Sequence, residues 1–140
     1  MSFQNVRYEL RKKITEKPKQ KILLYWLLHS AFGIVIIKTI IRPRHLHLSE
    51  TFDFLQGTLP NLFAGAIFCV LAFVNYGAFK KKAYTILRKL IFAFIFSFLG
   101  LTLWEYFQYF MGYPIDYFDI LMTALGSLLT IILILLLRIK

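Results

Sequence analysis

Four apolar runs divide the chain, at residues 22–41, 62–79, 90–110 and 118–137, with polar or turn-forming stretches between them. Each is close to the roughly 20 residues that an α-helix needs to cross a hydrocarbon layer ~30 Å thick at ~1.5 Å per residue. The pattern predicts an all-α, polytopic integral membrane protein with four transmembrane helices. The first run is the most interrupted. It holds His29, expected to hydrogen-bond between helices, and Lys38, which lies near one end and is placed to snorkel towards headgroups beside Arg42. Pro60, with Thr58 as a cap, is expected to begin the second helix, where a missing N–H costs least. Gly112 and Pro114 mark a tight turn that makes the third and fourth helices antiparallel neighbours.

On this reading residues 42–59 form the longest external loop. Its apolar residues, Leu46, Leu48, Phe52, Phe54 and Leu55, suggest that it packs on the bundle or dips into the interface. Residues 1–21 form a basic cytoplasmic arm and residues 22–140 a single four-helix domain. In the arm, Phe3, Val6, Leu10 and Ile14 recur at spacings of three and four, which predicts a short amphipathic helix on the inner leaflet, ended by Pro18. The alternative is a solvated basic stub that only fixes topology. The arm is mainly polar and no small-residue cleavage pattern closes the first run, so that span is expected to stay in the chain. No internal repeat is visible.

Charge sharpens the topology. The chain has 17 Lys and Arg against 7 Asp and Glu, a net charge of +10. Residues 1–21 hold seven of the cations, residues 80–89 five, and Arg138 and Lys140 close the chain; only Lys38, Arg42 and Arg44 fall on the other side. Short cytoplasmic loops retain Lys and Arg, so both termini are expected in the cytoplasm, with the basic rim against anionic inner-leaflet lipids. The excess of positive charge then needs no nucleic acid. With 59% hydrophobic residues, the composition excludes a soluble enzyme and a disordered tail, and the lone Cys69 excludes an internal disulfide.

Ionisable groups at membrane depth are costly and are candidates for function. Glu105 is the deepest carboxylate, about 22 Å along its helix from Leu90 and just below the outer interface. Gln108 and Tyr109 follow at three and four positions, on neighbouring parts of one face. Beyond the turn, Asp116 and Asp119 open the fourth helix. Glu105, Gln108, Asp116 and Asp119 are therefore expected to converge in an acidic, outward-facing corner, with Arg42 and Arg44 as counter-charges able to hold a phosphate. Duller roles compete: Asp116 as a helix cap, Asp119 as a partner of the helix dipole, and Glu105 with Gln108 as interhelical bonds. His45 and His47 form an H-x-H pair with no third ligand at a fixed spacing, so no metal and no cofactor is expected. Aromatics from Trp104 to Phe118 fit an interfacial belt, and Ala93 with Ser97, and Thr123 with Ser127 beside Gly126, fit close helix packing.

The stretch WEYFQYFMGYPIDYFDILMTALGS, residues 104–127, resembles the C-terminal signature of VanZ-like membrane proteins: a helix with Glu-x-x-Gln, a short loop, then Asp-x-x-Asp and a glycine in the last helix. Glu105 and Gln108, Asp116 and Asp119, and Gly126 match these features. GTLPNLFAG, residues 57–65, resembles the start of a middle helix in small relatives, with Asn61 as its polar residue. Two departures from the pattern stand out: Tyr113 and Pro114 stand where an Arg is common, and Thr123 stands near a common Asn. The resemblance implies a multi-pass protein of the bacterial cytoplasmic membrane, in a class linked to glycopeptide (teicoplanin-type) antibiotic resistance. Four functions follow as expectations: binding of a cell-wall precursor, lipid headgroup or antibiotic; catalysis on a lipid-linked substrate with Glu105 as acid or base; transport; and a scaffold packed against another membrane protein.

Overall fold

The computed structural model describes residues 18–44, 49–79 and 85–139. The expected helix of the basic arm, His45 and His47, and the cations at 80–82 lie outside the described residues. Among the described residues there are four long helices and no strand. α1 spans Pro18–Ile36 and runs on through a π-helical turn, Ile37–Ile41, and a 3-10 turn, Arg42–Arg44. α2 spans Glu50–Phe79, α3 Ile86–Phe110 and α4 Tyr117–Leu136. All four are long and apolar enough to cross a membrane.

α3 and α4 begin and end within a few residues of the runs that predict them. Thr85 caps α3 by accepting from the N–H of Arg88 at 3.4 Å, and Asp116 caps α4 by accepting from that of Phe118 at 2.8 Å. The turn between them passes through Gly112 at φ +93°, a backbone conformation open to glycine.

α2 departs most from expectation. It starts at Glu50, so the expected external loop is half helix, and Pro60 lies inside the helix rather than at its start. The start is set by Ser49, whose hydroxyl accepts from the N–H of Phe52 at 3.1 Å and whose carbonyl accepts from that of Asp53 at 2.9 Å. Thr58 caps nothing; its hydroxyl donates back to the Phe54 carbonyl at 3.0 Å. An interior proline removes one helical hydrogen bond, here the one that the Gln56 carbonyl would accept from residue 60. Arg42 replaces it. Its Nε donates to the Gln56 carbonyl at 3.1 Å and its Nη2 to the Gly57 carbonyl at 2.8 Å. A cation from the end of α1 thus makes the proline tolerable in α2.

α2 is the most buried helix and touches the other three, most extensively α4. The α2–α4 contact depends on glycine: a Cβ on Gly126 would run into the Leu62 carbonyl, and one on Gly65 into that of Thr123. Beside them Ser97 and Ser127, both fully buried, share a hydrogen bond of 2.8 Å that ties α3 to α4. Trp26 Nε1 donates to Thr130 Oγ1 at 2.9 Å and ties α1 to α4. The apolar core gathers where α1 and α3 begin and α2 and α4 end, around Leu23, Cys69, Phe73, Leu90, Ala93 and Ile134. Lys89 lies over the Phe73 ring there, 4.0 Å from its centroid.

Candidate functional site

At the opposite end of the bundle α1 and α3 finish and α2 and α4 start, and their polar residues enclose a cavity of about 160 Å³. α1 contributes Lys38 and Arg42, α2 Gly57, Pro60 and Asn61, α3 Trp104, Glu105 and Gln108, and α4 Asp119. Antiparallel connectivity explains the meeting: residues near one end of every helix come together although Lys38 and Asp119 are 81 positions apart in sequence.

The α1 wall has its own local cause. Through Ile37–Ile41 the helix widens, and the Arg42 N–H bonds the Ile37 carbonyl, five residues back. This turn carries Lys38 and Arg42 to the cavity together. Arg42 is already engaged by the two α2 carbonyls, which leaves Lys38 as the cation of the wall without a hydrogen bond.

On the facing side, Gln108 Nε2 donates to Glu105 Oε1 at 3.2 Å, one turn along α3. This bond stays within α3 and does not link two helices. The Asn61 amide is directed to the Asp119 carboxylate, while Asp119 Oδ1 is buried without a hydrogen-bond partner. The charges of Asp119 and Asp116 both act on Glu105, and those of Arg42 and Lys38 on Asp119. No ion pair closes between the two cations and the two carboxylates that line the cavity. Four formal charges thus face one small volume, positive from α1 and negative from α3 and α4.

Of the residues singled out from the sequence, Glu105, Gln108, Asp119, Asn61 and Arg42 meet at the cavity. Asp116 stays at its rim, exposed, as the cap of α4. Arg44 and Tyr109 are exposed and do not line the cavity. His29 makes no interhelical hydrogen bond; it is exposed, with its ring stacked on Trp26 at 6.5 Å and edge-on to Phe63 at 6.3 Å. Lys38 and Trp104 join the site although the sequence pointed to them only as a snorkelling cation and a belt aromatic. The spacing of Lys38 and Arg42, four residues on one helix, was the available signal for the first. Among the described residues, no group of three or more His, Cys, Asp or Glu is placed to hold a metal ion.

No protein-family model, curated protein or solved structure matches the chain.

Proposed function

We propose that this chain is a VanZ-like, multi-pass protein of the bacterial cytoplasmic membrane that binds a small polar group of an envelope component at an outward-facing cavity. The observation that carries the reading is the meeting of Lys38, Arg42, Glu105, Gln108 and Asp119 around one space of about 160 Å³. Charged groups are retained at such depth when they pair or serve a ligand, and these cations and carboxylates do not close on one another. The volume suits a headgroup or the end of a precursor, well below the roughly 300–1,000 Å³ of sites that enclose a drug-sized molecule. An attached role in glycopeptide (teicoplanin-type) resistance follows from the resemblance at residues 104–127.

The outward orientation is supported by the cations. The cavity lies where α1 and α3 end and α2 and α4 start, and fourteen of the seventeen Lys and Arg fall in sequence before or within the first turn of α1, in residues 80–89, or after α4. Cys69 is buried, so single cysteines report topology cleanly. In intact cells an impermeant thiol reagent is expected to label a Tyr113→Cys variant and to spare Lys81→Cys; the reverse pattern inverts the orientation. For the site, Glu105→Gln is expected to abolish any resistance phenotype while the protein remains folded in the membrane. Undiminished resistance in that variant refutes a binding role for this cavity.

A further inference from the structure

The walls of the cavity define the chemistry of what fits between them. On the negative side, Glu105 spends one oxygen on Gln108, and Asp119 Oδ1 accepts nothing. An ionised carboxylate only accepts hydrogen bonds, so this side asks for a cationic donor. A divalent metal answers poorly. Among the described residues no group of three or more His, Cys, Asp or Glu is placed to hold one, and Lys38 and Arg42 stand opposite the two carboxylates and repel a bare cation. A quaternary ammonium also answers poorly, since it carries no N–H and is held by several aromatic faces, of which Trp104 alone lines the cavity. A primary ammonium has three N–H donors and matches the free acceptors.

The positive side asks for an anion on the same ligand. Among the described residues Lys38 has no hydrogen-bond partner, and Arg42 uses two of its five N–H groups on the α2 carbonyls. The volume of about 160 Å³ equals roughly five waters of liquid, enough for two small charged groups and a short linker. Its surroundings indicate the source. Trp104, Phe107, Tyr109, Phe110, Tyr113 and Tyr117 are all exposed around this end, and aromatics so arranged mark the headgroup level of a bilayer.

We infer that the cavity holds the headgroup of a zwitterionic phospholipid with a primary amine, of the ethanolamine type: the ammonium lies between Glu105 and Asp119 and the phosphate at Lys38 and Arg42. This inference rests on the binding function proposed above and names its ligand.

The test uses the full chain in detergent micelles and short-chain phosphatidylethanolamine, phosphatidylcholine and phosphatidylglycerol, with binding followed by calorimetry. Phosphatidylethanolamine is expected to bind at least about tenfold more tightly than the other two, the range of one charge-assisted hydrogen bond. Glu105→Gln should erase that preference, whereas Lys38→Gln, at the phosphate common to all three lipids, should weaken them alike, and neither should lower the unfolding temperature. If Glu105→Gln does not fold, Asp119→Asn carries the same expectation. Equal wild-type affinity for all three lipids, weakened alike by Glu105→Gln, overturns the ligand and keeps the site. A preference for the amine lipid that survives both Glu105→Gln and Asp119→Asn overturns the site as well. Glycerophosphoethanolamine binding as tightly as the lipid makes the ligand a soluble zwitterion and overturns the membrane source.

Discussion

Where α1 and α3 begin, Leu23, Phe73, Leu90 and Ile134 close on one another around Cys69, and Lys89 lies across an aromatic ring. Where the same helices end, Lys38, Arg42, Glu105 and Asp119 keep a space open between them. The glycine and serine contacts of Gly65, Gly126, Ser97 and Ser127 lie between the two ends. Hydrocarbon offers helices no hydrophobic reason to associate, so close packing and a few hydrogen bonds must clamp the bundle before its far end can afford a cavity. The difference teaches that the polar end is held open by rigidity elsewhere.

The strongest way to break this contrast is to wedge the middle. Gly126→Ala places a methyl against the Leu62 backbone and is expected to cost about 3 kcal/mol, near the top of the range for overpacking. Gly100, whose Cβ position faces open space, provides the comparison: Gly100→Ala should leave stability unchanged or raise it by up to about 1 kcal/mol. Unfolding of the two variants in the same micelles checks both, and equal losses would dissolve the distinction between clamp and surface.

A second, smaller effect is expected at the polar end. Arg42→Leu strands the Gln56 carbonyl, removes a second bond at Gly57, and should cost about 2 kcal/mol. In a Pro60→Ala background residue 60 regains its N–H and can bond Gln56 itself, so Arg42→Leu should then cost about 1 kcal/mol less. A double-mutant cycle measures the coupling; strictly additive losses would show that Arg42 does not compensate the proline. The smallest change belongs to Ser127→Ala, which removes the bond to Ser97 for about 0.6 kcal/mol, the average found for such bonds in membranes.

Much of this arrangement was legible along the chain. The helices of the third and fourth runs, the Asp116 cap and the small-residue contacts at Ala93, Ser97, Thr123, Ser127 and Gly126 follow from composition and spacing, because lipid leaves a backbone few options besides helix. The start of α2 did not. Pro60 reads as a helix beginning when its neighbours in sequence are all that is known, and the donor that permits it mid-helix comes from Arg42, eighteen positions upstream and on another helix. The same cause hid the division of labour between the basic residues. Arg42 and Arg44 stand out as counter-charges in sequence, yet the widened turn at Ile37–Ile41 brings Lys38 to the cavity and leaves Arg44 outside.

The carbonyl that Pro60 leaves open in α2 also bears on how the chain enters a bilayer. A helix that carries a bare acceptor at Gln56 is poorly suited to hydrocarbon by itself, and the guanidinium that covers it belongs to the segment synthesised just before it. Biogenesis therefore favours α1 and α2 settling as a hairpin, with α1 waiting at the insertion site as a chaperone in cis for its successor.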